Sequence, residues 1–302
     1  MRILLAHDGS GGAAKAAELV GALAWPEGSV VRVVSVIEPT MVGLTAWAGV
    51  VDYSAEADAQ ISEYYKGELA DTVARLSSPT RRVESAVLRG RPATAIVDDA
   101  KAFGADVIVV GSRGRGGIRS LVLGSVSSEV VDHAPCPVLV ARQSTLSAVV
   151  LATDGSPPAT LAQTLVSEWP IFEGVPVRVV SVADVPRPWD TGIAPTMYRQ
   201  VVEAYTKDLD EAKRQSQEIA ARTVEALRAA GREAVADARV GDAAGEIIAA
   251  AVESNAEMIV IGTRGHTGLT RLLLGSVARN VVHGSGASVL VVRARASANA
   301  EQ

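Results

Sequence analysis

Short runs of Val, Ile and Leu alternate along the chain with longer stretches in which apolar residues recur at helical spacing. A strand that is apolar at nearly every position suits a parallel sheet covered on both faces, because a half-exposed strand would alternate apolar with polar residues. This pattern predicts strands near 2–6, 30–36, 82–88, 106–110 and 137–141, then near 148–152, 176–182, 233–239, 257–261 and 288–292. Helices are expected in the connections. The longest should run from Met197 to Ala230, where Lys207, Asp208, Glu211 and Lys213 interleave with Val201, Leu209, Ile219, Val224 and Leu227, as in an amphipathic helix lying on a surface.

The chain then repeats itself. Ile3-Leu4-Leu5-Ala6-His7-Asp8-Gly9-Ser10 returns as Val149-Val150-Leu151-Ala152-Thr153-Asp154-Gly155-Ser156, which sets Asp8 and Asp154 146 positions apart. Val31-Arg32-Val33-Val34-Ser35-Val36 recurs letter for letter at 177–182, at the same offset. Later matches fall 151 apart: Gly90 with Gly241, Gly111 with Gly262, Gly124 with Gly275, and Val138-Leu139-Val140 with Val289-Leu290-Val291. The chain is a duplication whose second copy gained five residues between its second strand and Gly241. Its 302 residues are enough for two cores. We read domains at 1–143 and 147–295, a linker from Gln143 to Ser147, and a tail at 296–302 with the composition of a frayed end. Each copy reads as an α/β unit, a five-stranded parallel sheet with helices on both faces.

Composition narrows the function. Lys and Arg total 29 against 34 for Asp and Glu, and the pI is near 5.5, so no surface built to neutralise a nucleic-acid backbone is expected. The single cysteine, Cys136, allows no intrachain disulfide and no Cys-rich zinc site; lying between prolines ahead of an apolar strand, it is expected to be a packed thiol. The opening residues are apolar too briefly for a signal peptide, and no apolar run approaches the ~20 residues of a membrane span. A cytoplasmic protein without a membrane partner is expected.

The most informative stretch is Gly111-Ser112-Arg113-Gly114, followed after nine residues by Gly124-Ser125. It recurs as Gly262-Thr263-Arg264-Gly265 and, at the same spacing, Gly275-Ser276. Gly111 directly follows an apolar strand, so the loop lies at a strand's carboxyl end, where open α/β sheets bind ligands. Glycines there let backbone N–H groups approach an anion. Gly124 then opens a helix, whose first-turn amides, with Ser125 or Ser127, can bind the same anion; Ser276 and Val277 are the second copy's equivalents. Asp8 and Asp154 end the first strand of each copy and read either as helix N-caps or as contacts to a base or ribose. Glu38 and Asp184 follow the second strands, where an acid can meet ribose hydroxyls. Arg113 and Arg264, with Arg115, Arg119 and Arg271 nearby, read either as phosphate partners or as solvated surface charge.

Other signatures fail. No Gly-x4-Gly-Lys-Ser/Thr string exists, and Gly9-Ser10-Gly11-Gly12 and Gly155-Ser156-Pro157-Pro158 do not supply a dinucleotide fingerprint. Ser10-Gly11-Gly12 matches only the first half of the Ser-Gly-Gly-x-Asp-Ser of ATP pyrophosphatases. His7, His133, His266 and His283 share no ligand spacing, so no catalytic or metal-ligating residue is predicted.

At these residues the chain resembles the universal stress protein family, and in particular its ATP-binding subgroup: Asp-Gly-Ser after strand one, the Gly-x2-Gly-x9-Gly-Ser loop, and Ala134-Pro135-Cys136-Pro137-Val138-Leu139-Val140 after it. The resemblance covers nearly the whole chain, twice. It implies two tandem Rossmann-like domains, of the adenine nucleotide α hydrolase-like type, paired through their last strands. It further implies an ATP site at each loop, with Mg2+ able to accompany the nucleotide, and regulatory or stress-tolerance function without efficient catalysis. A homodimer is expected. Taken with the loop reading above, the candidate nucleotide positions are Ala6, Asp8, Val36, Gly111, Ser112, Arg113, Gly114, Gly117, Gly124, Ser125, Val126 and Ser127. In the second copy they are Ala152, Asp154, Val182, Asp184, Gly262, Thr263, Arg264, Gly265, Gly268, Gly275, Ser276 and Val277. The two alternatives of a different kind are a nucleotide-independent dimerising scaffold and a slow ATPase. One departure stands out: Ser285-Gly286-Ala287-Ser288 replaces Ala-Pro-Cys-Pro, so the turn into the last strand is expected to be looser.

Overall fold

The structure is a computed structural model that describes residues 1–38, 55–114, 123–185, 198–263 and 274–294. Ten strands form in the order the apolar runs predict: β1 (Arg2–Ala6), β2 (Ser29–Ile37), β3 (Arg81–Arg89), β4 (Val107–Gly111), β5 (Val138–Ala141), β6 (Val149–Ala152), β7 (Val177–Ala183), β8 (Ala234–Val240), β9 (Met258–Gly262) and β10 (Ser288–Val292). The described helices are α1 (Gly11–Ala22), α2 (Ala55–Leu76), α3 (Pro92–Phe103), α4 (Ser125–His133), α5 (Pro157–Glu168), α6 (Tyr198–Ala229), α7 (Ala243–Glu253) and α8 (Ser276–Gly284). A 3-10 turn at Pro170–Phe172 follows α5. The long helix expected in the second copy is α6; at 32 residues it outreaches the 22 of its counterpart α2, and its buried residues Ser216, Ala220, Thr223, Val224 and Leu227 all lie in its second half.

All ten strands join one sheet, in the order β3-β2-β1-β4-β5-β10-β9-β6-β7-β8. Within each half every pairing is parallel. The halves meet at one antiparallel seam, where Val138, Leu139 and Val140 lie opposite Val291, Leu290 and Val289. A pseudo-twofold therefore relates the copies, and the carboxyl ends of their strands point in opposite directions.

Successive strand residues face opposite sides, and both sides are covered. Leu4, Ile108, Val138, Val140, Val150, Ile259, Val289 and Val291 face α3, α4, α7 and α8. Ile3, Leu5, Val107, Val109, Leu139, Leu151, Val260 and Leu290 face α1, α2, α5 and α6. Each core runs through both halves. This double coverage explains why the strands read as unbroken apolar runs. On the second face Trp25 and Trp169 meet across the domain boundary, ring centroids 6.4 Å apart. At the outer edges, β3 and β8 carry ion-paired charges that discourage pairing with another chain: Arg32 binds Glu84 at 2.6 Å and Asp99 at 3.2 Å, and Arg178, its repeat, binds Asp237 at 3.2 Å.

The linker is fastened rather than loose. The backbone N–H groups of Arg142 and Gln143 both donate to Ser288 Oγ at 3.1 Å, Thr145 Oγ1 donates to Glu257 at 2.9 Å, and the Ser147 amide donates to the same carboxylate. These bonds correct the expectation of a loose turn before the last strand. Ala287 N donates to Ser285 Oγ at 3.0 Å, and Gln143 Nε2 donates to Gly286 O at 3.1 Å, so hydroxyls and first-domain donors do the work that two prolines do in the first copy.

Candidate functional site

In each half the chain leaves β1 (or β6) in one direction across the sheet and returns to lay β4 (or β9) on its other side, which makes the gap between these neighbours a topological switch point. Asp8 and the Gly111–Gly114 loop emerge there together. His7 N extends the ladder to Val34 O at 2.8 Å, and Gly9, at φ +77°, then turns the chain into α1. Asp8 Oδ1 accepts from Ser10 N at 3.0 Å. The helix cap is Ser10, whose Oγ accepts from Ala13 N at 3.2 Å and donates to Arg113 O at 3.2 Å. The N-cap reading of Asp8 is thereby corrected: its carboxylate shapes the turn and faces the glycine loop. A Cβ on Gly114 would stand 2.6 Å from Asp8 Oδ2, and one on Gly111 would stand 2.6 Å from the backbone carbon of Gly12. At Gly111 only hydrogen lets the loop lie against the backbone of α1, whereas at Gly114 a side chain would have to push the Asp8 carboxylate aside.

The same loop leads into α4. Ser112 N donates to Ala141 O at 3.1 Å and Gly124 N to Ser112 O at 2.9 Å, so both ends of the nine-residue excursion are pinned together. The first bond of α4 is Ser128 N to Gly124 O at 2.9 Å, which leaves the amides of 125–127 ahead of the helical ladder. Their cap, Gly124, has no side chain to satisfy them. Other described helix starts differ: Ser10 caps α1, Asp242 caps α7 through Gly245 N at 2.7 Å, and α3 and α5 place proline at the start. α4 and α8 have neither device. Ser125 is exposed at this opening and Val126 is half-buried beside it. The Ser127 hydroxyl is corrected as an anion contact, since it is buried and donates to Gly111 O at 2.7 Å, fastening α4 to β4; its backbone amide stays in the first turn. Ala278 stands at the equivalent place in α8.

The second copy repeats the construction. Asp154 Oδ1 accepts from Ser156 N at 3.0 Å, Gly155 turns at φ +76°, and a Cβ on Gly262 would stand 2.7 Å from the backbone of Pro158. Thr263 N donates to Val292 O at 3.0 Å, Gly275 N to Thr263 O at 2.7 Å, and the first bond of α8 is Arg279 N to Gly275 O at 2.9 Å. Ser276 and Val277 sit at its opening as Ser125 and Val126 do in α4. Ala6, Val36 and Val126 border one face of the sheet, as do Ala152, Val182 and Val277 in the second copy, which sets the end of the second strand on the same side as the loop. Glu38 is half-buried just past β2, while Asp184 is exposed. Arg113 is exposed, and burial, with the Arg113 charge added to it, pushes the Arg142 guanidinium down to about 10. Gly117, Arg115, Arg119, Arg264, Gly265, Gly268 and Arg271 lie outside the described residues.

Two residues of the site escaped the sequence reading. Gly12 gives its place to the loop, since a Cβ there would collide with Arg113 O, but its counterpart is Pro158 and the duplication carries no signal for it. Ser10 sits inside the quoted Asp-Gly-Ser, and its link to Arg113 O depends on strand adjacency. Among the described residues no group of three His, Cys, Asp or Glu could hold a metal, and no helix is long and apolar enough to cross a membrane.

The fold and the two switch points define a tandem, doubly wound α/β protein of the Rossmann-like class. The family profile of the universal stress proteins matches residues 1–142 and again 146–293, and the chain belongs to that family. A universal stress protein of Thermus aquaticus is 40% identical over 143 residues, 46% of this chain and 97% of that relative. One from Mycolicibacterium smegmatis is 27% identical over 283 residues, 88% of this chain and 87% of its own length, which shows the two-domain arrangement to be shared. The crystal structure of a universal stress protein from Archaeoglobus fulgidus superposes over 97% of this chain and 98% of that one with a TM-score of 0.64 at 21% identity, a likeness of fold.

Proposed function

We propose that this universal stress protein binds an adenine nucleotide, ATP in the first instance, at each of its two glycine loops and acts as a nucleotide-dependent regulatory module without efficient catalysis. One observation carries the reading: at both switch points a helix starts with neither a side-chain cap nor a proline, beside a loop whose first glycine, Gly111 or Gly262, only hydrogen allows against the backbone of α1 or α5. First-turn amides that lie ahead of the helix's own ladder, with the positive end of the helix dipole, favour phosphate oxygens. Asp8 and Asp154, with the apolar rim of Ala6, Val36, Ala152 and Val182, are left to recognise the rest of the nucleotide. ATP supplies phosphates that would bring Mg2+ with them, and Mg2+ needs few protein ligands; Asp8 and Asp154 are the carboxylates beside the loops.

The test is to denature the purified protein, identify any released nucleotide, and titrate ATP, AMP and cyclic AMP by calorimetry while following ADP formation. About two ATP per chain, lost in the Gly114→Glu, Gly265→Glu double variant and not turned over, is the expected result. Intact wild type that binds none of the three would instead support a scaffold that works by pairing, within the chain or as a homodimer.

A further inference from the structure

The antiparallel seam does more than join two sheets. Arg142 follows β5 and Arg293 follows β10, and each reaches across the seam to the carboxyl end of a helix in the other domain. Arg142 donates through Nη2 to Val282 O at 2.5 Å, in the last turn of α8, and through Nη1 to Ala287 O at 3.5 Å, in the turn that follows it. Arg293 donates through Nη1 to Ala134 O at 2.8 Å and Asp132 O at 3.2 Å, and through Nη2 to Val131 O, at the end of α4. Arg279 of α8 also pairs with Asp132 of α4 at 3.5 Å. These are the two helices whose opposite ends open at the glycine loops.

Each arginine is tied to its own domain's loop as well. Ala141, the residue before Arg142, accepts from Ser112 N, and Val292, the residue before Arg293, accepts from Thr263 N. The last carbonyls of a helix lack partners within it, and a guanidinium fork satisfies them while complementing the negative end of the dipole. α4 and α8 have nine residues each, about 13 Å of stiff rod from the arginine to the amides at the other end. Holding one end sets where the other points.

We infer that Arg142 and Arg293 are positioning residues for the opposite domain's ligand site: Arg142 sets α8 and the second site, and Arg293 sets α4 and the first. The assignment rests on the anion-binding reading of those helix starts. The sites are then built crosswise, so that neither domain alone presents its helix amides in register with its loop.

Two measurements test it. Hydrogen exchange on the full-length protein without nucleotide should show faster exchange across α8 in Arg142→Gln and across α4 in Arg293→Gln, with the same-domain helix unchanged. ATP titration in single-site backgrounds, Ser125→Glu to block the first site and Ser276→Glu to block the second, should show Arg142→Gln weakening the second site about tenfold, the scale of a lost charged hydrogen bond, and the first less than twofold. Arg293→Gln should do the reverse. Arg→Lys at either position should recover part of the loss, because the charge remains while the fork is gone. Equal weakening of both sites, or exchange that rises in the same-domain helix, would overturn the crosswise assignment. If the single-site parents bind no ATP, the nucleotide reading fails on its own, and the exchange pattern still decides whether the arginines act across the seam.

Discussion

Placing a carboxylate where a phosphate is proposed to sit separates binding from folding. Ser125 and Ser276 are exposed first-turn residues, so a glutamate at either place buries nothing. At the positive end of a helix a carboxylate stabilises by about 0.3–1 kcal/mol, so the fold should hold or gain. A phosphate on the amides of 125–127 would stand roughly 5 Å from the new charge. Two unit charges at that separation repel by about 0.8 kcal/mol at a dielectric constant of 80 and about 3.3 kcal/mol at 20. ATP affinity should therefore fall roughly four- to 200-fold per site, more steeply at low salt, where screening is weak. Calorimetric titration should show Ser125→Glu and Ser276→Glu each removing about half of the strong binding, and the double variant nearly all of it, while differential scanning calorimetry finds an unchanged or higher Tm. Ser→Gln, which matches the size without the charge, should bind nearly as wild type does. An intact double variant that binds ATP with wild-type affinity at low salt would refute the placement of phosphate at these helix starts.

Gly111→Ala and Gly262→Ala should each cost about 1–3 kcal/mol in urea denaturation, because the added methyl meets backbone at 2.6 or 2.7 Å and backbone cannot step aside; an unchanged midpoint would refute that packing. Gly114→Ala meets only the Asp8 carboxylate, which can swing away, so it should spare stability and weaken ATP binding at the first site; calorimetry on the Ser276→Glu background reads this directly. Burial pushes the Cys136 thiol up to about 12, so between pH 9 and 12 the unfolded chain releases a proton that the native one keeps. Stability present below pH 9 should fall through that window by up to ~1.4 kcal/mol per pH unit; Cys136→Ala should flatten the slope measured from pH 9 to 10, and a thiol reagent should label the wild type only once it is unfolded.

The architecture was legible because two physical signals agreed. Strands buried on both faces must be apolar throughout, and the duplication fixed which runs corresponded, so all ten strands fall where the runs predict. The helix starts at Gly124 and Gly275 were legible for a similar reason, since repeated spacing singled them out from ordinary turns. What could not be read was set by neighbours distant in sequence. Ser127 resembles an anion ligand along the chain, and only the adjacency of α4 to β4 spends its hydroxyl on Gly111; the alanine at 278 was the available warning. Ser10, not Asp8, became the cap because Gly9 turned the chain one residue further on. The arginines that cross the seam follow ordinary-looking strands, and nothing local marks their partners 140 residues or more away.

The seam also limits how a bound nucleotide could be reported to the rest of the cell. Val138, Leu139, Val140, Val289, Leu290 and Val291 are all at most 1% exposed, and they belong to the two cores, one on each face of the sheet, that run through both halves. Parting the domains would uncover these six side chains, at about 1.5–3 kcal/mol each, or roughly 9–18 kcal/mol before any backbone bond is counted. A ligand's coupling energy is typically about 1–3 kcal/mol, too little to open such a joint. The two halves should therefore stay fixed on each other, and the signal should be confined to the glycine loops, the helices they start and surfaces outside the seam. Small-angle scattering of the full chain at a fixed oligomeric state should give the same profile with and without saturating ATP. A change in the radius of gyration under those conditions would mean that the seam yields to a few kcal/mol, and that the buried valines and leucines hold it far less tightly than their packing requires.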